Sequence, residues 1–419
     1  MLPLRLLVVL LAAPLIWSQA PPPAAAFAFD ITAATDAYLA KVPPDKKAQS
    51  DAYFEGGYWL ILWDFAWAAG ISFFLLASGL SLRMRSFAER LTRFRPLETF
   101  AYAVQFLLVT FLLTLPWTIY ESYYREHQYG LATQTFGPWM GDQLKGLGVS
   151  LILGGFAIML LFGIVRRLPR TWHIWGAIAS VALLAGQIMI FPVFIAPLFN
   201  RYTLLTDPAV VNPILSLARA NGIPAKNVYQ NDASLQSTRI SANVSGFLGT
   251  ERITLNDNLL KRCSQAEIMA VMGHEMGHYV LNHIYKLLMV LFIVTIVFFA
   301  ALRGVLDWSL ARWGERWGVR GVSDVAVLPL AALLIAAFSF LYTPVNNTIT
   351  RTMEYEADIF GLNAARQPDG FAEVALKLGE YRKLNPGPVE EMIFFDHPSG
   401  HTRIYSAMRW KAENLNPAQ

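Results

Sequence analysis

Three residues past the middle of the chain have the types and spacing of a metal site. His274, Glu275 and His278 form the pattern HEMGH. Positions four apart on a helix sit one above the other on one face, so His274 and His278 offer two imidazoles to one cation. Glu275, about 100° round the helix, is turned from that pair and can reach a water beside the cation. Two histidine ligands, a glutamate base and a position open to water form the zincin arrangement, whose chemistry is peptide hydrolysis. Such a site requires a third ligand from elsewhere. Glu354 and Asp358 are again four apart, while Glu356 lies about 160° round from Asp358 and points elsewhere. A solvated acidic face is the other reading of that pair. Farther on, FFDHPSGHTRI supplies His397 and Arg403, two groups suited to an oxyanion, with His401 and His283 as weaker alternatives. His283 reads most simply as a polar residue at a membrane interface.

These residues need elements to carry them. Ser264-Gln265-Ala266-Glu267 is a capping box, and Ile268, Val271, Met272 and Tyr279 give the HEMGH helix an apolar face. Gly273 and Gly277 remove bulk beside the site, so that substrate or a neighbouring strand can approach. Upstream, Asp207-Pro208 opens a helix with proline at its first position, and Asn221-Gly222 with Pro224 closes it. SANVSGFLGTERITL reads as a hairpin with strands near 240–247 and 252–255. Residues 201–283 thus form a small α/β layer.

The remainder is apolar. Of 419 residues, 55% are hydrophobic and only 15% charged, against roughly 25% in soluble proteins. Uncharged or nearly uncharged runs at 59–82, 99–120, 146–165, 171–200, 287–302 and 325–350 reach or approach the roughly 20 residues that cross a bilayer. Residues 1–20, with Arg5, an apolar core and Ser18-Gln19-Ala20, fit a cleaved signal peptide or a first span equally. The expected organisation is therefore that leader or span, a membrane domain over 21–200 with four spans, and a peptidase domain over 201–419 with two, at about 287–302 and 325–350. The fold class is mostly α: a polytopic helical membrane protein of six to seven transmembrane helices with a small α/β zincin-like catalytic domain. Asp64 is a charge inside a span, close to its polar end. Cys263 is the only cysteine, so no intrachain disulfide is available. The net charge of +4 is small and no basic run interleaves with aromatics, so no nucleic-acid partner is expected.

Arginines set the orientation. Arg83, Arg85, Arg90, Arg93 and Arg95 follow the first run; Arg166, Arg167 and Arg170 form a second group; Arg303, Arg312, Arg316 and Arg320 form a third. Alternating spans put all three on one side, the cytoplasmic one. HEMGH, the 121–145 loop and the tail after 350 then face away from the cytoplasm, as in a bacterial-type inner membrane.

GHEMGH (273–278), EYEAD (354–358) and HPSGHTRI (397–404) together resemble the type I CAAX prenyl proteases, integral-membrane zinc metallopeptidases of the HExxH gluzincin-like kind. LPW (115–117), HQYGLATQTFGPWMGD (127–142) and IAPLFNRYTLL (195–205) are similar to that family as well, and the resemblance runs from roughly 50 to 419. It implies one Zn2+ per chain on His274, His278 and Glu354, with Glu275 activating water and Asp358 orienting a ligand histidine. It implies that His397 and Arg403 hold substrate and the oxyanion. It also implies that Ser241-Ala242-Asn243 is an edge strand pairing with substrate backbone, and that seven helices ring an intramembrane chamber. Ser241 stands where the family usually has Asn, which leaves Asn243 as the substitute amide. The implied function is an endopeptidase acting on membrane-associated or lipid-modified proteins and peptides, in contact with membrane lipid. Eukaryotic members turn the zinc site to the cytosol, whereas the arginine bias turns this one outward. The alternatives are a membrane quality-control metalloprotease like HtpX, which has fewer spans, and a zinc-binding scaffold or transporter without hydrolysis.

Overall fold

The computed structural model describes residues 29–245 and 252–415. The segment 1–20, read as a leader or first span, lies outside them. A short helix, α1 (Ile31–Leu39), is capped by Asp30, whose side chain accepts from the Ala33 N–H at 2.9 Å. α2 (Pro44–Ala77) starts with proline in its first turn and ends before Gly79, which adopts φ 67° and lets the chain turn into α3 (Leu80–Leu91). α4 (Arg95–Gln128), α5 (Phe136–Arg167) and α6 (Trp172–Leu198) follow.

The polar layer comes next. β1 (Tyr202–Leu204) leads to α7 (Pro208–Ala220), which has the expected Asp207 cap, then β2 (Val228–Asn231), β3 (Ala242–Ser245) and β4 (Arg252–Asn256). The sheet order is β1-β2-β4-β3, with β2 and β4 parallel and the other pairs antiparallel. Two of these strands are the expected hairpin pair; Phe247, at the end of its first strand, lies outside the described residues. β3 is an edge. α8 (Asp257–Arg262), α9 (Gln265–Val280), α10 (His283–Trp313), α11 (Leu328–Ala365), α12 (Pro368–Leu378), α13 (Pro388–Phe394) and α14 (Gly400–Leu415) complete the chain.

Six helical stretches among the described residues are long and apolar enough to cross a membrane: α2, α4, α5, α6, α10 and the stretch Val325–Ala365 that contains α11. They match the six apolar runs, but the helices are longer. α2 begins at Pro44 and α11 ends at Ala365, because hydropathy marks only the part suited to lipid while the backbone stays helical beyond it. Large side chains such as Leu341 and Trp308 stand exposed on these helices, as a lipid-facing surface requires.

The three arginine-rich loops meet at one end of the bundle. Arg85 pairs with Asp324, Arg320 Nη1 donates to Glu89 at 2.7 Å, Arg166 Nε donates to the Ser323 carbonyl at 3.2 Å, and Arg303 Nη1 donates to the Arg170 carbonyl at 2.7 Å. Arg85 and Asp324 are buried there beside a cluster that includes Leu75, Tyr102, Leu306 and Ala326. The polar layer gathers at the other end. The segment after α4 packs on it: Thr238 N–H donates to the Leu131 carbonyl at 3.0 Å, and Arg239 pairs with Glu126 at 2.6 Å. Between the ends, α2 and α4 line a cavity of about 960 Å³ with Trp59, Trp63, Trp67, Phe74, Trp117 and Tyr120. Asp64 is held beside it, accepting from Trp117 Nε1–H at 2.6 Å.

Candidate active site

α9 begins as its sequence requires. Glu267 Oε2 accepts from the Ser264 N–H at 2.6 Å, and the Ser264 hydroxyl accepts from the Glu267 N–H at 3.4 Å. Ile268, Met272 and Met276 bury against Ile253 and Leu255 of β4. The opposite face crosses α11. A Cβ on Gly273 would sit 2.9 Å from the Gly361 carbonyl oxygen, and one on Gly277 would sit 3.1 Å from Ala357 Cα. The two glycines therefore admit a neighbouring helix, not the strand or substrate expected from sequence. That crossing brings Glu354 and Asp358 of α11 to the histidines of α9.

His274 Nε2 and His278 Nε2 lie 3.0 Å apart. Glu354 Oε2 is 3.3 Å from the first and Glu354 Oε1 is 3.4 Å from the second. Among the described residues these three make the one group of histidine, cysteine or carboxylate side chains whose donor atoms converge for a metal. Ligands about 2.0–2.1 Å from a tetrahedral zinc are about 3.3 Å from one another, so donor type and spacing both fit such an ion. The other nitrogen of His274 is also fixed: Nδ1 lies 2.8 Å from Asp358 Oδ1.

Arg403 ties the two acids together. Its Nε donates to Asp358 Oδ2 at 3.0 Å and its Nη2 to Glu354 Oε2 at 3.3 Å. Both groups serve carboxylates, so the guanidinium expected at the oxyanion is engaged in holding the site. His397 Nε2 is 3.2 Å from Glu354 Oε2, and its Nδ1 is 2.8 Å from Asp396 Oδ1. His401 takes another course, donating its backbone N–H to the Leu384 carbonyl and stacking on Tyr405.

Burial sets the protonation of the α9 groups. It pushes the Glu275 carboxyl up to about 7, with Glu354 adding to the rise and His274 opposing it. It pulls His278 down to about 4, with His274 adding to the fall, which leaves its imidazole neutral. For His274 burial acts the same way, but Asp358 and Glu354 outweigh it and raise the ring to about 10. Cys263 lies elsewhere, and burial pushes its thiol up to about 11, unlike an activated nucleophile.

A cavity of about 350 Å³ holds His274, Glu275, Glu354, Asp358, His397 and Arg403. Ser241 and Ala242 form part of its wall. Asn243 does not: it lines a separate cavity of about 400 Å³ with Gln187, Tyr202 and Arg252. Successive side chains of a strand point to opposite faces, so Ala242 and Asn243 cannot both face the site, and the substitute amide is on the wrong side. The Asn256 N–H donates to the Ser241 carbonyl at 2.9 Å. Alternation along the antiparallel ladder then turns the N–H and C=O of Ala242 and Val244 away from β4.

Two groups, His283 and Glu356, meet the site in roles that the sequence did not give them. His283 Nδ1 lies 2.9 Å from His278 Nδ1, and His283 Nε2 lies 3.1 Å from Glu356 Oε2. His283 is buried at 5% exposure, so it is no interfacial side chain. No helical period signals it, since i+5 lies about 140° round from His278 and only the left-handed turn at Asn282 brings it back.

Two family models cover most of the chain. One, described as peptidase family M48, matches residues 205–411. The other, described as CAAX prenyl protease N-terminal, five membrane helices, matches residues 33–201. The chain belongs to the M48 peptidases of the CAAX prenyl protease type. It is a multi-pass integral membrane protein and a metalloendopeptidase. Relatives of this family include the metalloprotease YhfN of Bacillus subtilis, 29% identical over 80% of this chain and 79% of that one. CAAX prenyl protease 1 of Saccharomyces cerevisiae is 28% identical over 74% of this chain and 73% of the relative. The crystal structure of Saccharomyces mikatae Ste24p shares the fold, with a TM-score of 0.71 at 20% identity over 90% of this chain and 94% of that one.

Proposed function

We propose that His274, His278 and Glu354 hold a single Zn2+ and that the enzyme cleaves peptide bonds of membrane-associated or lipid-modified proteins and peptides. The observation that carries this is the convergence of the three donors, two of which, His274 and Glu354, line with Glu275 a cavity walled in part by Ala242 of the edge strand β3. Bound there, zinc supplies Lewis-acid activation of water and of the scissile carbonyl. Glu275, its carboxyl already raised by burial, takes the proton of the attacking water and passes it to the leaving amine as the C–N bond breaks. His397 faces the developing oxyanion, while Asp358 and Arg403 orient the ligands. Substrate backbone pairs with β3 as an added strand, through the outward N–H and C=O of Ala242. Ser241 and Ala242 are the contacts on that strand; Asn243 has no part. The Glu275→Gln variant is expected to bind metal as the wild type does and to lose hydrolysis of a quenched peptide. Full activity in the metal-loaded variant refutes the mechanism.

The position of the site supports this substrate class: α9 leads through one turn into membrane-crossing α10, so a metal held on α9 would be close to the bilayer boundary. Prenylated chains fit that position, as do unprenylated amphipathic ones. The orientation we adopt puts the arginine end in the cytoplasm and the site outside. A cysteine at Val389, which is 65% exposed, in a chain whose one native cysteine, Cys263, is replaced, is expected to react with an impermeant reagent only from the non-cytoplasmic side. Labelling only from the cytoplasm reverses the orientation and favours cytosolic prenylated substrates.

A further inference from the structure

α9 ends at Val280, and the chain turns through Leu281 and Asn282 into α10 at His283. Asn282 stands at φ 58°, in the left-handed region that Asn visits more readily than most residues with a side chain. The turn folds the first residue of a membrane-crossing helix back onto the last turn of the metal-ligand helix. There His283 Nδ1 meets His278 Nδ1 at 2.9 Å, and His283 Nε2 meets Glu356 Oε2 at 3.1 Å. Lys286 Nζ donates to the same carboxylate oxygen at 2.7 Å.

We propose that His283, oriented by Glu356, is a positioning residue that fixes the tautomer and ring plane of His278. The inference rests on His278 being a zinc ligand. Its Nε2 is the atom turned toward His274 Nε2 and Glu354, so that nitrogen offers its lone pair and the proton sits on Nδ1. His278 Nδ1–H then donates to His283 Nδ1. The His283 proton is thereby placed on Nε2, from which it donates to Glu356. Every donor meets an acceptor, and both rings are neutral. His274 meets the same requirement through Asp358 directly; His278 meets it through an intervening imidazole that spans the gap to a more distant carboxylate. Because His283 and Lys286 belong to α10 and Glu356 to α11, the packing of two membrane-crossing helices sets how His278 presents its Nε2.

The test is zinc affinity of the purified full chain, stripped of metal and titrated against a chelator of known affinity, with Co2+ as a spectroscopic probe. His283→Leu removes the acceptor at similar volume. It is expected to weaken zinc binding by about 10–100-fold, the usual cost of losing such a partner, and to alter the visible spectrum of the cobalt protein. His283→Asn returns an acceptor near the Nδ1 position and is expected to recover several-fold of that loss. Glu356→Gln, at a carboxylate 43% exposed, is expected to weaken zinc binding by less than His283→Leu but measurably, with no change in the unfolding midpoint of the metal-free protein.

His283→Leu with wild-type zinc affinity and a wild-type cobalt spectrum overturns the proposal. So does His283→Asn that binds no better than His283→Leu, with both losing affinity in step with their metal-free unfolding midpoints. If His283→Leu does not fold, Glu356→Gln decides alone, and unchanged affinity there overturns it. A wild-type chain that binds no zinc, or His278→Ala that binds it undiminished, fails the zinc reading itself and is distinct from these outcomes.

Discussion

His274 and His278 sit one turn apart on α9, yet they are backed in opposite ways. Behind His274 lie Asp358 and Arg403, with side chains 1% and 8% exposed, at a helix crossing so close that glycines make it possible. Behind His278 lie His283 and then Glu356 and Lys286, the last two 43% and 45% exposed. The inner backing is a closed set of buried charges, and the outer one is a chain that ends in water. A buried charge must be fully paired, because losing one partner strands the other in a poor solvent. An exposed charge is solvated whether or not it is paired. The two sides therefore differ in how strongly a single substitution is felt, although both back the same set of metal-ligating donors.

The largest expected effect is on the inner side. Asp358→Ala removes the acceptor of His274 Nδ1–H and one of the two carboxylates that neutralise Arg403. Breaking a buried pair of this kind costs about 3–5 kcal/mol. The metal-free variant is expected to unfold at a clearly lower temperature and to purify without stoichiometric zinc. Retention of both stability and zinc would show that the inner set is not the closed unit its distances describe.

A second contrast probes the helix crossing itself. A Cβ on Gly361 would lie 2.7 Å from the His274 backbone nitrogen and 3.0 Å from the Gly273 carbonyl carbon. Backbone cannot yield as a side-chain end does, so Gly361→Ala is expected to force α9 and α11 apart at a cost of about 1–3 kcal/mol. Zinc affinity should fall with it, since His274 and Glu354 are on the two helices being separated. Gly304 of α10 has nothing within 4 Å of its Cβ position, and Gly304→Ala is expected to be neutral or to stabilise by up to about 1 kcal/mol through helix propensity. Unfolding midpoints of the two variants, side by side, measure how much of the site's geometry comes from that contact.

The same contrast explains what the sequence could reveal. His274, Glu275 and His278, and the pair Glu354 and Asp358, were legible because helical spacing is local: four residues always return to the same face. The six spans were legible from hydropathy, though not their ends, since a helix continues past the lipid that hydropathy marks. His283 was not legible. In an unbroken helix it would lie about 140° round from His278, and only the left-handed turn at Asn282 brings it back. Glu356 reaches His283 across 73 residues of sequence, a distance that no period spans. Arg85 read as one more loop arginine of the orientation signal, yet it is buried on Asp324, a pairing that is non-local in the same way. Asn243 was not legible either: period-two alternation puts it on the same face as Ser241, but the strand begins only at Ala242, so Ser241 lines the site while Asn243 lines a separate cavity.

The smallest expected effect is at the outer end of the outer side. Lys286 and Glu356 meet at 2.7 Å with both side chains nearly half exposed, and exposed pairs contribute about 0–1 kcal/mol. Lys286→Ala is therefore expected to shift the unfolding midpoint little, and the shift should shrink further at high salt, where screening removes the pair's attraction. Zinc affinity should also hardly change, because Glu356 remains to accept from His283 Nε2–H and water replaces the ammonium. A loss of zinc affinity near that expected for His283→Leu would mean that the chain from His278 does not end in water at all. The outer backing would then be a closed set like the inner one, with α10 supplying its charge.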